Sequence, residues 1–419
     1  MSWFIGGLLL GLICVGVPIG FALMITAAIS MEVAGIDLIT LPVQMFRGMD
    51  SFPLLAIPLF ILMGELMSAT TISKRLIELA AALVGWLRGG LSHINIVTSM
   101  FMAEMSGSAV ADAAAMSKIF VPEMARVGFP RAFAAAVTAS SATLGIIIPP
   151  SIPAVLYGVT TNTSIRDLFI AGIVPGLILA GGFMIASYAF ALRDGHPVDN
   201  YFDVKRLGVA FKDAAVPLLI PVLVVGGLIM GLFTPTEASG IGVAIAFVFG
   251  VLISRDLGPR RLYRVLVNTA RQASVVMMLV GGSAVIGQVL ANEQLPQAIA
   301  TGLGSAFASD VLTLLLINIF LIALGMILHA TAAIIIVVPI LLPLALQMGL
   351  DPVHFGIVVC LNLGIGQQTP PVASVVLTVC STTGVKLNEI MHYNKWYILV
   401  MFIVLLFVTY VPATTTWFL

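Results

Sequence analysis

Five long stretches of this sequence contain no charged residue, and each is long enough to cross a lipid bilayer. A helix needs about 20 mainly apolar residues to span the hydrocarbon core. The rest of the sequence is also apolar, since 60% of its 419 residues are hydrophobic and only 9% are charged. The pattern therefore predicts an all-α polytopic membrane protein with a single membrane domain, 1–419. The uncharged stretches cover residues 1–31, 132–165, 168–192, 214–236 and 396–419.

Two other apolar stretches, 91–125 and 311–347, differ from ordinary spans. Each is about 35 residues long with a polar or glycine-containing centre, Ser-Gly-Ser at 106–108 in the first and residues 325–331 in the second. Two full crossings need about 40 residues plus a turn. We therefore expect two re-entrant helical hairpins, with a pair of short spans as the alternative. Ordinary spans are predicted at 3–30, 52–70, 132–164, 168–192, 215–233, 237–254, 272–292, 355–379 and 396–417.

Two of the predicted spans contain the same helix-breaking signature, in which a pair of prolines follows a glycine. Proline removes a backbone donor and clashes with the preceding turn, so each signature predicts a broken helix. Unwound backbone at membrane depth is tolerated only where protein buries it or where it lines a wet cavity. The residues at the two breaks are Gly145, Pro149, Pro150 and Ser151 in the first span, and Gly364, Gly366, Thr369, Pro370 and Pro371 in the second.

The breaks belong to an internal repeat. Four glycine or proline positions recur in the same order, at offsets of 219 to 221 residues. A chance recurrence of prolines in an apolar chain is the less satisfactory explanation. Repeat one covers about 1–192 and repeat two about 215–419, and we expect them to be inverted. Inverted repeats with a site at the midplane are common in secondary transporters. The paired landmarks are Pro122, Gly128, Gly145 and Pro149-Pro150, and Pro343, Gly349, Gly364 and Pro370-Pro371.

The basic residues predict the orientation of the chain. If the amino terminus is cytoplasmic, 17 of the 19 Lys and Arg residues fall in loops on one side, and only Arg47 and Arg166 fall on the other. Cytoplasmic loops are enriched in Lys and Arg. We therefore expect a cytoplasmic amino terminus, with the two hairpins opening to opposite faces.

The breaks and hairpin centres hold the candidate site residues. Freed carbonyls, hydroxyls and helix ends offer oxygen ligands and partial charges, which suit a hard cation such as sodium. We expect sodium near Ser106, Gly145, Gly364 and Thr369. A lone Ser or Thr in a membrane helix more often bonds its own backbone, so the hypothesis depends on clustering at the breaks. Besides the break residues given above, the candidates are Ser106, Gly107, Ser108, Asp112, Thr331 and Asn362.

Acidic residues within apolar stretches are a further signal. Asp112 is the strongest candidate for a functional charge, and Glu65 and Glu104 are also intramembrane acids. We assign Glu237 a structural role, as a helix N-terminal capping residue after Thr234. His329 lies in the second hairpin, where a titrating role is possible but a structural role is more common.

Several functional classes are disfavoured. The net charge is zero, with 19 basic and 19 acidic residues, so no nucleic-acid partner is indicated. The three cysteines are scattered and do not indicate a disulfide framework or a zinc site. The sequence has no phosphate-binding GxxxxGK[ST] loop and neither an HExxH nor a GxSxG motif. No cofactor is expected other than coupling ions.

A series of motifs is distributed along nearly the whole chain. Because of these motifs and their order, the sequence resembles the large membrane subunit of tripartite ATP-independent periplasmic (TRAP) transporters. The motifs are Ser51-Phe-Pro-Leu-Leu-Ala-Ile-Pro-Leu-Phe-Ile-Leu-Met-Gly64, Gly85 with Gly89-Gly90, Ser106-Gly-Ser-Ala-Val-Ala-Asp112, Gly145-Ile-Ile-Ile-Pro-Pro-Ser151, Pro175-Gly176, Phe233-Thr-Pro-Thr-Glu-Ala238 and Thr369-Pro-Pro371.

The resemblance implies an elevator-type, sodium-driven secondary transporter in the bacterial cell inner membrane. It also implies two protein partners beside the lipid bilayer: a small four-span membrane subunit, expected here as a separate chain, and a periplasmic solute-binding protein. That protein would deliver an organic acid such as a C4-dicarboxylate, a sialic acid or a keto acid. The sequence departs from the family pattern at His329, where an acid is common, and at Ala373, where Gly is common. These departures affect the second cation site.

Two interpretations remain. The favoured one is a secondary carrier whose transport unit covers about 91–164 and 311–379, with the other spans as a scaffold. The alternative is a non-transport membrane protein, either an intramembrane enzyme or a scaffold for other subunits. The breaks and the repeat favour transport.

Overall fold

The computed structural model describes residues 2–196, 202–292 and 309–418, and within these ranges the chain is helical and has no strands. This confirms the predicted all-α class. The helices are Ser2–Cys14, Ile19–Val33, Thr40–Met49, Ala56–Ser68, Ile72–Val84, Gly90–Ser106, Ala109–Arg126, Arg131–Ala142, Ile152–Thr161, Ile165–Arg193, Val204–Asp213, Ala215–Ile229, Pro235–Val248, Pro259–Asn292, Asp310–Gly325, Ala330–Gln347, Pro352–Gln368, Ser374–Thr383, Leu387–Tyr410 and Ala413–Thr416. Short 3-10 segments lie at Phe52–Leu55 and Thr143–Ile146, and a π-helical segment lies at Phe249–Ile253.

Five of the described helices are long and apolar enough to cross a membrane, or seven spans if each of two bent pairs counts as one. The bent pairs are Thr40–Met49 with Phe52–Ser68, at 70°, and Val204–Asp213 with Ala215–Ile229, at 65°. The five helices are Ile165–Arg193, Pro235–Ile253, Pro259–Val289, Ala330–Gln347 and Leu387–Tyr410.

The predicted span 3–30 differs from the structure, which divides it into two shorter helices. Gly16 has a φ of +90°, and Pro18 immediately precedes the second helix. Proline disfavours a helical conformation in the residue before it, which explains why the first helix ends before this point.

Both predicted hairpins consist of two helices with a short connection. Gly90–Ser106 and Ala109–Arg126 are separated only by Gly107 and Ser108, and they pack against each other. Asp310–Gly325 and Ala330–Gln347 also contact each other, across a four-residue connection. Because Ala330–Gln347 alone is long enough to cross a membrane, the re-entrant path of this hairpin stays a prediction.

The internal repeat is visible in the helix boundaries. Ala109–Arg126 and Ala330–Gln347 are both 18 residues long and begin 221 residues apart. Each contains the paired internal proline, and each is followed by the paired glycine with a positive φ, +101° at Gly128 and +73° at Gly349. The two repeats therefore build the same helix and the same turn from matched residues.

The helices of the two repeats interlock. The second helix of the first hairpin, Ala109–Arg126, packs against Ser374–Thr383, which follows the second break. The second helix of the other hairpin, Ala330–Gln347, packs in the same way against Ile152–Thr161, which follows the first break. This reciprocal packing holds the hairpins and the broken helices in one unit.

Loops that were predicted on the same side of the membrane contact one another. Arg75 donates to the carbonyl oxygen of Asp213 at 2.9 Å, and both lie on the side predicted to be cytoplasmic. Arg166, predicted on the opposite side, donates to the carbonyl oxygens of Leu228 and Ile229 at 3.0 and 2.6 Å. The cytoplasmic amino terminus itself stays a prediction.

Candidate functional site

A cavity of about 470 Å³ lies where the hairpin turns, the breaks and the rest of the bundle meet. The hairpins contribute Gly107–Ala109 and His329–Ala332, and the broken helices contribute residues on both sides of the first break and Gln367 at the second. The opposite wall comes from residues 18–21 and from one face of the long helix Pro259–Asn292. The lining is mostly apolar, with polar side chains from Ser108, Gln272, His329, Thr331 and Gln367.

Three helices begin at this cavity. Their N-cap residues are Ser108, Ser151 and His329, and each cap side chain accepts a hydrogen bond from a backbone N–H of the first turn at 3.4 Å. Ser108 and His329 line the cavity, and Ser151 is followed by Ile152 and Pro153, which also line it. A helix N-terminus carries a partial positive charge, so each of these three helix ends favours an anion.

At the first break, the hairpin turn lies directly against the unwound segment. Gly107 has a φ of +58°, and a Cβ there would lie 2.9 Å from the Pro150 carbonyl oxygen and 3.1 Å from the Ile152 nitrogen. A larger side chain could enter only if the backbone moved. The glycine in the Ser-Gly-Ser sequence is therefore required both by its conformation and by its close packing.

The same break brings the predicted acid next to the predicted glycine. Asp112 is only 2% exposed, and a Cβ on Gly145 would lie 3.1 Å from Asp112 Oδ2. These two residues are 33 positions apart in the sequence and were predicted separately. Together they place a carboxylate beside the Gly-Pro-Pro break.

The hydroxyl groups at the two breaks are satisfied by their own backbone. Ser151 Oγ donates to the Ile146 carbonyl oxygen at 2.5 Å, and Thr369 Oγ1 donates to the Ile365 carbonyl oxygen at 2.8 Å. A hydroxyl that donates its proton in this way keeps oxygen lone pairs for another partner. Both residues therefore stay possible oxygen ligands, although the bonds themselves are also typical of ordinary helix packing.

At the second break, the unwound segment is tied to the second hairpin. The Val372 N–H donates to the Met326 carbonyl oxygen at 3.2 Å. A Cβ on Gly366 would lie 2.5 Å from Gly325 Cα, so the two backbones are in direct contact. The approach leaves no room for a side chain at Gly366, whereas a Cβ on Gly325 would lie 3.1–3.2 Å from backbone atoms of Leu363 and Gly366. The hairpin and the broken helix therefore pack closely here.

Asn362 belongs to a polar cluster away from the cavity lining. Its Nδ2 donates to Asn318 Oδ1 and to the Val358 carbonyl oxygen, both at 2.8 Å, and Asn318 donates to Thr409 Oγ1 at 3.3 Å. The bonds join helices Pro352–Gln368, Asp310–Gly325 and Leu387–Tyr410. Asn362 Nδ2 therefore helps to link these helices, while Asn362 Oδ1 accepts no hydrogen bond among the described residues.

Of the predicted site residues, Gly107, Ser108 and Thr331 line the cavity. The side chain of Ser106 lies outside the described residues. Pro149 lines a different cavity, of about 460 Å³, together with Glu104. The remaining predicted residues do not line the central cavity; they are Asp112, Gly145, Pro150, Ser151, Asn362, Gly364, Gly366, Thr369, Pro370 and Pro371.

Two polar lining residues, Gln272 and Gln367, were not considered in the sequence analysis, and most of the apolar lining was not predicted either. Gln272 Nε2 donates to Glu65 Oε1 at 2.7 Å, which pairs the intramembrane acid with an amide from the opposite wall. A polar residue within an apolar helix is the signal that could have identified both glutamines. Glu237 forms the predicted capping box with Thr234, which confirms its structural role.

Within the described residues, no group of three or more His, Cys, Asp or Glu side chains is placed to hold a metal ion. A transition-metal centre has no ligand set there. The donors available at the breaks are oxygen atoms, from backbone carbonyls, hydroxyl groups and the Asp112 carboxylate, and oxygen ligands suit hard cations.

An all-helical chain with repeated broken helices around one cavity has the architecture of a membrane transporter. The fold is similar to that of the Alcanivorax borkumensis YdaH transporter, described as having an unusual topology. The TM-score is 0.60 at 14% identity, over 90% of this chain and 87% of that one.

A family model, "Tripartite ATP-independent periplasmic transporter, DctM component", matches residues 6–414. The chain is 35% identical to the sialic acid TRAP transporter large permease protein SiaM of Vibrio cholerae, over 97% of this chain and 95% of that protein. It is 34% identical to the C4-dicarboxylate large permease protein DctM of Rhodobacter capsulatus, over 97% and 96%. The chain belongs to the DctM family of TRAP transporter large permeases. Its relatives are named as permeases, which confirms that it is not an enzyme.

Proposed function

We propose that this permease imports an organic acid anion across the bacterial inner membrane, coupled to sodium. The three helix N-termini at the cavity carry this proposal, because their partial positive charges favour a carboxylate in an otherwise apolar pocket. Relatives are named for sialic acid and C4-dicarboxylates, and one of Escherichia coli for 2,3-diketo-L-gulonate. All three substrates carry a carboxylate at neutral pH.

Sodium is the proposed coupling ion, bound at the breaks. The buried carboxylate of Asp112 beside Gly145 supplies a negative charge at the first break. The second break has no equivalent acid, since the position 221 residues after Asp112 is Ala333. We expect two unlike cation sites, one with a carboxylate near Ser106 and Gly145 and one with neutral oxygens near Gly364 and Thr369.

The elevator mechanism is the proposed route of transport. The reciprocal packing of hairpins and broken helices supports a rigid transport unit of about 91–164 and 311–379. The central cavity lies between this unit and residues 18–21 and 272–279 of the proposed scaffold. Movement of the unit past that wall would expose the cavity to each side in turn.

Two protein partners complete the proposal: a small four-span membrane subunit on the scaffold and a periplasmic solute-binding protein that delivers the anion. An isethionate TRAP permease protein, DctMQ of Oleidesulfovibrio alaskensis, is 36% identical over 96% of this chain, which spans 64% of its length.

Uptake into proteoliposomes tests the proposal. The complex with its small subunit and loaded binding protein should accumulate radiolabelled sialic acid or succinate only when a sodium gradient is applied. Thr369→Ala should weaken the apparent sodium affinity while the protein still assembles, because the broken backbone is retained. Uptake that is equally fast without sodium would contradict the coupling, and full uptake by this chain alone would contradict the tripartite system.

A further inference from the structure

The amide of Gln367 lies at the wall of the central cavity. Gln367 is the last residue but one of the helix Pro352–Gln368, immediately before the second break. Its side chain is fully buried, and it lines the cavity together with the turns of both hairpins. The residue therefore places a carboxamide close to the three helix N-termini.

The two ends of this amide have different surroundings. Gln367 Oε1 accepts a long hydrogen bond from Ser374 Oγ at 3.4 Å. Gln367 Nε2 has no hydrogen-bond partner among the described residues, although the side chain is fully buried. An amide nitrogen carries two N–H donors, and a buried donor without an acceptor is costly. Gln367 therefore lines the cavity and also has a buried amide nitrogen without a protein acceptor among the described residues.

The neighbouring residue Gln368 provides a comparison, because its side-chain amide has a structural role at the same break. Gln368 Nε2 donates to the Ala139 carbonyl oxygen at 2.6 Å, and Gln368 Oε1 accepts from Asn394 Nδ2 at 3.1 Å. Both of its ends are satisfied by protein. Gln367 differs in that it lines the cavity and its nitrogen end has no such partner among the described residues.

On the basis of the proposed function, we propose that Gln367 is a specificity-determining residue for the transported anion. The helix N-termini attract the carboxylate of the substrate. Gln367 Nε2 donates a hydrogen bond to a second acceptor oxygen, which belongs to another part of the same substrate. The bound anion thus satisfies the buried donor. Anions that carry a second oxygen acceptor are selected over simple monocarboxylates, since a site built to bond a substrate group rejects analogues that lack it.

Binding to the purified full-length protein, in complex with its small membrane subunit, tests the inference. The midpoint of stabilisation against heat is measured as a function of succinate and of sialic acid concentration. Gln367→Met should raise the half-stabilising concentration of at least one of these anions by roughly 10- to 100-fold. Gln367→Glu should be at least as damaging, because it replaces a donor by a negatively charged acceptor.

Ser374→Ala is the matched control. It removes the partner of Gln367 Oε1 but leaves Nε2 in place, so anion binding should change by about twofold at most. An unchanged response in Gln367→Met, or a loss in Ser374→Ala as large as in Gln367→Met, would overturn the inference. Retained binding in Gln367→Glu would also overturn it, because the substrate would then be donating to the side chain.

A measurement without any anion gives a second readout. If Nε2 is an unsatisfied donor, the apolar side chain of Gln367→Met should leave the melting temperature of the empty protein unchanged or raise it. A clear fall would mean that the amide is structural and would overturn the inference. If the wild-type protein responds to neither succinate nor sialic acid, the proposed function fails, and this inference fails with it.

Discussion

Asp112 and Gly145 are in contact across the first break, where a Cβ on the glycine would stand 3.1 Å from the carboxylate Oδ2. The aspartate comes from the second helix of the first hairpin, and the glycine comes from the 3-10 segment that precedes Pro149-Pro150. A buried acid in a membrane domain is a functional candidate by default. The contact connects that acid to the unwound backbone.

We predict that Gly145→Ala weakens sodium activation of uptake roughly three- to tenfold, equivalent to about 0.7–1.4 kcal/mol. The added methyl group must displace the carboxylate by a few tenths of an ångström. Gly181→Ala is the control, because a Cβ at Gly181 has nothing within 4 Å. The sodium dependence of uptake is measured for both variants. An equal sodium affinity in the two variants would show that Asp112 does not belong to the cation site.

Gly364 and Gly366 provide a second comparison within one helix. A Cβ on Gly366 would lie 2.5 Å from Gly325 Cα, whereas a Cβ on Gly364 would make only ordinary contacts at 3.6 and 3.8 Å. We expect Gly366→Ala to destabilise the protein by about 2–3 kcal/mol, because backbone must move, and Gly364→Ala to have little effect. Unfolding in detergent measures both, and equal losses would contradict the close contact with the hairpin.

The sequence predicted the helical class, the repeat and the breaks, because each has a local cause. A proline pair that follows a glycine interrupts the helix at both breaks, whereas single prolines such as Pro122 and Pro343 remain inside helices. Long uncharged apolar segments are typical of membrane spans. The sequence did not predict that Asn362 would help to link three helices through its Nδ2. It also did not identify Gln367 as a lining residue, because the direction of a side chain depends on how distant segments pack.

A polar cluster around Asn394, at the second break, was also not predictable from the sequence. Asn394 lies in the last long helix, yet its Nδ2 donates to Gln368 Oε1 at 3.1 Å, and its Oδ1 accepts from Ser140 Oγ at 2.7 Å. These bonds join the broken helices of both repeats. No pattern around Asn394 indicates this, since its partners lie 26 and 254 residues away.

We predict that Asn394→Ala lowers the free energy of unfolding by about 2–4 kcal/mol, because it leaves buried groups on both broken helices without partners. Asn388→Ala is the control in the same helix, since Asn388 is exposed. Thermal unfolding of the two purified variants measures the difference. Matching stabilities would show that the cluster does not hold the two breaks together.

The last prediction concerns orientation. The span arrangement predicts that the loop 293–310 is periplasmic, but residues 293–308 lie outside the described residues. An exposed described position on the same predicted side is therefore used as the probe. Met230 is 76% exposed and lies beside the carbonyl oxygens that Arg166 binds. Arg260, in the first turn of the helix Pro259–Asn292, is also exposed and lies on the predicted cytoplasmic side.

We expect Met230→Cys to react with a membrane-impermeant maleimide only from the periplasmic face, and Arg260→Cys only from the cytoplasmic face. The expectation follows from the 17-to-2 distribution of basic residues between the two sides. The native cysteines Cys14, Cys360 and Cys380 are first replaced by Ala or Ser, and uptake by that background protein is the control. Labelling of both positions from one face would exclude the predicted span arrangement, and with it the inverted orientation of the two repeats.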